Sequence, residues 1–174
     1  MEVKKFRAVL SRFDSDLWGH HFMVPMTISA EIIAAEHKRL ICRINNRIEF
    51  QCALMPEGDG RYFINLNQSR CKELKIKVGD ELDIQLSPDD SPYGLPMPEE
   101  FKAVLDSDPE GDVLFHALTP GKQRNLLYIA GQPKSSDIRI RKSLIMIEHL
   151  KRHQGKIDFR QLNEDFKSGK NRIL

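Results

Sequence analysis

Apolar and polar residues alternate with a period of two through residues 1–90, which is the pattern of half-buried β-strands. Six such runs are present, and they lie near positions 6–10, 22–26, 40–44, 48–54, 62–66 and 82–86. Two short segments interrupt the alternation and predict helices. The first follows Ser29, which has the character of an N-cap, and the second covers residues 69–76. The sequence therefore predicts six strands and two short helices in this region.

The alternating apolar residues of the third strand (Leu40, Cys42 and Ile44) and of the fourth (Ile48, Phe50, Cys52 and Leu54) are at even-numbered positions. In an antiparallel pair, the position numbers of opposed residues have a constant sum, so the two apolar sets share a face only if that sum is even. A turn of three residues satisfies this condition and places Ile44 opposite Ile48. Cys42 would then face Phe50, with Cys52 one pair further along the same face, so we expect both cysteines to be inert core residues.

The strand pattern repeats along the chain at an offset of 40 residues. The repeat lies in the pattern of residue types, and few of the paired residues are identical. The pairs are Phe22 and Tyr62, Val24 and Ile64, Met26 and Leu66, Ser29 and Ser69, Cys42 and Leu82, and Ile44 and Ile84. Two copies of a strand–strand–helix–strand unit can close into a small barrel, which would remove the exposed sheet edges.

A change of period after residue 90 marks a second domain. Residues 91–97 lie in a stretch rich in proline and are predicted to be a linker. Residues 98–155 have helical periodicity and predict a small domain of four helices. Residues 156–174 are predicted to be a C-terminal extension with a short element and a frayed tail.

The last helix of this domain is predicted over roughly residues 137–153. Ile140, Leu144 and Ile147 follow a helical spacing and predict its apolar stripe. The predicted polar side carries Arg141, Lys142, Glu148, His149 and Arg152. This helix is therefore expected to place its cations in solvent.

Charge is unevenly distributed, although the whole chain has a net charge of only +2. Residues 121–156 contain nine Lys and Arg and two acids, whereas residues 99–112 contain six acids and one Lys. We expect the two segments to pack so that their fields largely cancel. The alternative is a phosphate-binding surface, although Tyr128 is the only aromatic residue there for base stacking. Its six cations would be Lys122, Arg124, Lys134, Arg139, Arg141 and Lys142.

Catalytic and metal-binding patterns are weak throughout the sequence. His20 and His21 would point to opposite faces of a strand, and His149 and His153 lack the glutamate of a zinc-binding HExxH motif. The sequence also contains neither a phosphate-binding loop nor a nucleophile elbow. We therefore expect no catalytic residue, no cofactor and no metal, and we expect that the protein is not an enzyme.

Composition favours a soluble globular protein, with 40% hydrophobic and 30% charged residues. The three cysteines are not at metal-binding spacings, which is typical of a reducing compartment. The N-terminus lacks the apolar core of a signal peptide, and no apolar run approaches the length of a spanning helix. These features predict a cytoplasmic protein that does not associate with membranes.

Several motifs of the second domain occur in a characteristic order. Pro-Glu-Glu at residues 98–100 begins a helix, an acidic Asp-Pro segment follows, and Phe-x-x-Leu at residues 115–118 precedes a Thr-Pro turn and the basic helix. This order resembles the bacterial bacteriocin-protection family, also called YdeI or OmpD-associated. The segments "INNRIEFQCAL", "GDGRYFINLNQ" and "IKVGDELDIQL" resemble the uncharacterised β-domain that often precedes that family. Together the resemblances cover about residues 3–155.

The resemblance implies an α+β fold, in which a six-stranded double-split β-barrel-like domain with two short helices precedes a small helical domain. AbrB-like and MazE-like DNA-binding proteins have similar barrels built from two chains. Here one chain carries both halves, so we expect a monomer or a weak homodimer.

For function, the resemblance implies a non-enzymatic binding or accessory role in stress or bacteriocin tolerance, with a protein partner. One alternative is a nucleic-acid-binding module that uses the basic helix and the AbrB-like barrel. Another is a small-ligand binder at the barrel mouth, near Trp18 and Tyr93.

Overall fold

A computed structural model describes residues 1–14, 19–37 and 39–169 of the chain. The chain divides into two compact units, residues 1–94 and residues 95–174, which we name the β-unit and the helical unit. The described residues contain eight strands and two helices in the β-unit and five helices in the helical unit. None of these helices combines the length and the apolar composition that crossing a membrane requires.

The β-unit consists of two four-stranded antiparallel sheets. Its elements are β1 (Lys4–Val9), β2 (Ser11–Arg12), β3 (His20–Val24), α1 (Met26–Ala34), β4 (Leu40–Ile44), β5 (Ile48–Cys52), β6 (Met55–Gly58), β7 (Arg61–Leu66), α2 (Gln68–Leu74) and β8 (Glu81–Pro88). One sheet has the order β1-β8-β4-β5 and the other β2-β3-β7-β6. The strands β1, β2, β3 and β4 correspond in order to β5, β6, β7 and β8. If every strand is replaced by its counterpart, each sheet keeps its strand order, read from the opposite edge. The topology therefore has the internal duplication seen in the sequence.

The predicted number of strands and the predicted closure are both wrong. β2 has only two residues, and β6 pairs with a register shift between Pro56 and Gly58, so neither shows a readable alternation. In the described residues the strand ladders form two separate sheets and no closed barrel. One hydrophobic core nevertheless includes residues from both sheets and both helices, such as Phe22, Ile32 and Leu74.

The predicted register of β4 and β5 is confirmed. Ile44 lies opposite Ile48, and Cys42 lies opposite Phe50. The first two residues of the turn are asparagines with φ values of 52° and 51°, a left-handed conformation that asparagine tolerates better than most residues. Cys52 shares the buried face with Cys42, so the predicted core position of both thiols is also confirmed.

The predicted N-cap at Ser29 is wrong. α1 begins at Met26, and Pro25 occupies the N-cap position. Ser29 is buried, and its hydroxyl donates to the carbonyl oxygen of Met26 at 3.1 Å, so it is satisfied within the helix. α2 does have a side-chain cap, because Oδ1 of Asn67 accepts from the backbone N–H of Arg70 at 2.9 Å.

The helical unit is arranged around one central helix. Its elements are α3 (Glu99–Ser107), α4 (Pro109–His116), α5 (Pro120–Gly131), α6 (Ser136–Arg152) and α7 (Phe159–Gly169). α6 packs against each of the other four. α4 approaches it at Gly111, where an added Cβ would lie 2.3 Å from Cγ2 of Ile147, so a glycine is required for this close packing.

The predicted faces of α6 are partly wrong. Ile147 is buried as expected, but Ile140 and Leu144 are 41% and 44% exposed. His149, which was assigned to the polar side, is completely buried. The buried face is displaced because α7 covers the side of α6 that carries His149 and contacts it through Asp165.

Candidate functional site

A buried histidine–aspartate pair joins α7 to α6. Nδ1 of His149 lies 2.7 Å from Oδ2 of Asp165, and the two residues are 0% and 8% exposed. Oδ1 of Asp165 accepts from Arg152 at 3.2 Å and from Gln161 at 3.3 Å. On the other side of the ring, the backbone N–H of Asp158 donates to Nε2 of His149 at 3.3 Å. This arrangement assigns the neutral tautomer, in which Nδ1 carries the proton.

The environment of Asp165 keeps its carboxyl group ionised. Burial alone would raise the pKa of Asp165, but hydrogen bonds from His149, Gln161 and Arg152 outweigh burial and lower it. Both nitrogens of the buried ring are already engaged, which leaves no free atom to exchange a proton with a bound molecule. The pair therefore acts as a structural connection between α6 and α7.

The six cations predicted to bind phosphate do not form a uniform surface. Arg139 is engaged within the unit, because its Nε donates to the carbonyl oxygen of Pro133 at 2.7 Å and its Nη1 donates to Glu100 at 3.3 Å. Nζ of Lys142 lies 5.2 Å from the ring centroid of Phe166. The other four form no ion pair with any residue that the structure describes; they are Lys122, Arg124, Lys134 and Arg141.

Acidic residues in and between α3 and α4 neutralise two cations of α6, Arg139 and Lys151. Nζ of Lys151 lies 2.9 Å from Asp108 and 3.6 Å from Glu110, and Arg139 pairs with Glu100. A backbone N–H of α4, and then the Lys151 ammonium, lower the pKa of Asp108. The basic and acidic segments thus pack against each other, as their opposite charges predict.

The outer side of α6 opens into a groove of about 600 Å³, which we name the α6 groove. Residues of α3 and the position after it line one side, α7 lines the other side, and α6 lies between them. Its lining includes Val104, Asp108, Leu144, Glu148, Asp165 and Gly169. Leu144 is the apolar residue that remains substantially exposed there.

The predicted ligand pocket of the β-unit was assigned to Trp18 and Tyr93. Trp18 lies outside the described residues, and Tyr93 is half-buried near the end of the unit. Two clefts of about 510 and 290 Å³ are present in the described part of the β-unit, and Tyr93 lines neither. The larger one is lined partly by Met23, Met26 and Arg61. Binding of a small ligand at the named pair stays a prediction.

Sequence reasoning missed the α6 groove because it predicted only a short element after residue 155 and did not assign that element as the helix α7. Oδ1 of Asp158 accepts from the backbone N–H groups of Arg160 and Gln161 at 2.9 and 3.1 Å and so caps this helix. An aspartate followed three residues later by glutamine is a signature of a helix start. Together with Leu162 and Phe166, which are four residues apart, this signature was sufficient to predict α7.

Comparison with family models finds one match in each half of the chain. Residues 6–86 match the family model "Domain of unknown function (DUF1905)", and residues 95–153 match the model "Bacteriocin-protection, YdeI or OmpD-Associated". No curated protein matches the chain. The second match contains α3 to α6, so it includes the groove residues of α3 and α6 and ends before α7. These two matches, in this order along the chain, confirm the resemblance to the bacteriocin-protection, YdeI or OmpD-associated family and to the uncharacterised domain that precedes it.

Proposed function

We propose that the chain is a non-enzymatic binding or accessory protein, which holds a segment of a partner protein in the α6 groove and acts in bacteriocin or stress tolerance. The observation that carries this proposal is the exposure of Leu144, at 44%, inside a concave surface. Exposed apolar side chains in grooves bordered by polar residues are typical of interaction sites. The family match to residues 95–153 supports the accessory role.

Two further features support the proposal. Both nitrogens of His149 are hydrogen-bonded inside the helical unit, which favours a structural over a catalytic role for this residue. Cys42, Cys52 and Cys71 are free and buried thiols, and they support a place in the reducing cytoplasm.

Site-specific photo-crosslinking in bacterial cells tests the proposal. Leu144 is replaced by photo-reactive benzoylphenylalanine in the full chain, and adducts are identified by mass spectrometry. We expect one predominant protein adduct from this position. Val113, which lies on α4 away from the groove lining and is 67% exposed, provides the matched control position. Identical adducts from both positions, or no adduct from position 144, would contradict the proposal.

A cellular assay connects this binding to tolerance. Cells that lack the protein are supplied with the natural chain, with Leu144→Gln or with Val113→Gln, and survival is counted after exposure to bacteriocins. We expect Leu144→Gln to lower survival, because it removes apolar contact area from the groove without removing a core residue. Equal survival with both variants would separate the groove from the tolerance phenotype.

A second candidate function is binding of nucleic-acid phosphates. It is favoured by Lys122, Arg124, Lys134 and Arg141, which have no acidic partner in the described part of the chain. Fluorescence anisotropy with mixed-sequence DNA and RNA, between about 50 and 200 mM salt, tests this function. Binding that weakens steeply with salt and is reduced by Arg141→Glu would support it, whereas no binding at the lowest salt concentration would exclude it.

A further inference from the structure

The charges around the α6 groove select among the segments that it could bind. Three carboxylates, those of Asp108, Glu148 and Asp165, line the groove against one guanidinium, that of Arg152. Arg152 already pairs with Asp165 at 3.2 Å. Lys151 pairs with Asp108, but Glu148 forms no ion pair within the described ranges. Arg152 balances Asp165 and Lys151 balances Asp108, so Glu148 alone gives the groove a net negative charge, although the whole chain has a net charge of +2.

An exposed apolar stripe of α6 includes Leu144 in the groove and extends beyond the groove lining to Ile140. Ile140 and Leu144 are one helical turn apart on the same side of α6, and they are 41% and 44% exposed. Small residues, Ser107, Ser168 and Gly169, lie among the lining residues of α3 and α7. Small side chains beside an apolar surface leave space for another helix to approach closely.

The surrounding elements favour a helical partner segment over an extended one. An extended peptide gains affinity by adding a strand to a free sheet edge, whereas the groove is lined by helices whose backbone groups are hydrogen-bonded internally. A helix also satisfies its own backbone, so it can bury apolar side chains at i, i+4 and i+7 without losing hydrogen bonds.

We propose that the α6 groove binds an amphipathic helix of a partner protein, whose apolar side chains contact Leu144 and whose Lys or Arg residues face Glu148. This inference rests on the proposed function and specifies the chemistry of the partner. The partner's cations would lie at the edge of its apolar face, because Glu148 is one helical turn from Leu144 in the groove lining.

Two synthetic peptides test this inference against the full chain. One is an amphipathic helix of about 18 residues built from Leu and Lys, and the other has Glu in place of every Lys. Both carry a fluorophore, and binding is followed by anisotropy. We expect the Leu/Lys peptide to bind at least about tenfold more tightly than the Leu/Glu peptide, a difference of about 1.4 kcal/mol.

Variants of the chain locate the binding site. Leu144→Gln and Glu148→Lys should each weaken the Leu/Lys peptide about fivefold or more, whereas Val113→Gln should leave its affinity unchanged. Both groove positions are exposed, and circular dichroism verifies that each variant has the native helix content. Unchanged affinity for both groove variants, or equal affinity of the two peptides, would overturn the inference.

Other occupants of the groove give different results, and each would overturn the inference. If a second copy occupies it, sedimentation will show a dimer that Leu144→Gln dissociates. If residues 170–174 of the same chain occupy it, the peptide will bind only after these residues are deleted. A crosslinked partner from position 144, together with no binding of the Leu/Lys peptide, would leave the binding function standing and reject only the basic helix.

Discussion

The β4–β5 hairpin and the α6–α7 helix pair both bury polar atoms, but they do so with partners at different distances along the chain. In the hairpin, Cys42 and Cys52 are on one face of adjacent strands, and the hydrogen bond to Cys52 and burial raise the pKa of Cys42. In the helix pair, His149 needs Asp165 from another helix, 16 residues away. The length of the three-residue turn sets the register of the hairpin, whereas the buried face of α6 depends on which helix packs against it.

This difference has a general physical cause. A strand in a two-sided sheet places alternate residues on opposite faces, so the register of one turn determines every contact along the hairpin. A helix can bury any of several overlapping stripes, and the packing partner selects one of them. The predictions below therefore compare the effect of changing residues in the β-unit with the effect of changing residues around α6 and α7.

The largest expected effect is the loss of the buried pair. His149→Ala leaves the Asp165 carboxylate buried without its closest partner, which is expected to lower the free energy of unfolding by about 3–5 kcal/mol. Urea unfolding, followed by signals from α6, measures this loss. His116→Ala on α4 is the control, because His116 is exposed, and its change should be within about 0.5 kcal/mol. Equal losses for the two variants would show that the pair is not structural.

The second prediction compares two aliphatic truncations. Ile44→Ala in the hairpin removes a completely buried side chain and should cost about 2–5 kcal/mol. Leu144→Ala removes a side chain that is 44% exposed and should cost under about 1 kcal/mol. Urea midpoints of both variants give the comparison. A large cost for Leu144→Ala would mean that the outer face of α6 is covered in solution.

The third prediction concerns acid. Burial lowers the pKa of His21 in the β-unit. The contribution of His21 to the free energy of unfolding is therefore present above its unfolded pKa of about 6.5, and it is lost as the pH falls through the folded value.

A carboxyl group whose pKa is lowered in the folded state contributes to the free energy of unfolding above about pH 4, and this contribution is lost below it. The described part of the helical unit has four such carboxyls, whereas that of the β-unit has one. They are Glu100, Asp108, Asp158 and Asp165 in the helical unit and Asp89 in the β-unit.

Hydrogen exchange of the full chain at a series of pH values resolves the two units. As the pH falls below about 6.5, protection should fall first in β3, which carries His21. Below about pH 4, protection should fall more steeply in α6 and α7 than in β4 and β8. A uniform loss in both units at every pH would contradict this assignment.

The smallest expected effects come from two cation–aromatic contacts. The Arg70 guanidinium lies 4.0 Å from the ring centroid of Phe50, and the Lys142 ammonium lies 5.2 Å from that of Phe166. Arg70→Ala should cost about 1 kcal/mol and Lys142→Ala about 0.5 kcal/mol, because the first contact is closer. Thermal unfolding of both variants measures the difference, and the opposite order would refute it.

The sequence predicted those parts of the fold that depend on neighbouring residues. The β4–β5 register, the burial of Cys42 and Cys52 and the duplicated topology all follow from alternation and turn length. The two additional strands were missed because they are too short or too irregular to alternate. Of the candidate site residues, Arg139 is engaged by Glu100 and Pro133, contacts that no local pattern contains.

The amino-acid sequence by itself determined the division into a strand-rich and a helical half, the register of the β4–β5 hairpin and the opposite charges of two helical segments. Each depends on residue types within a few positions of one another. Only the tertiary structure decided that His149 is buried, that Ile140 and Leu144 remain exposed and that Leu144 and Glu148 line a groove. These features depend on which sides of α6 are covered by α3 and α7. That packing is determined by contacts between residues distant in sequence.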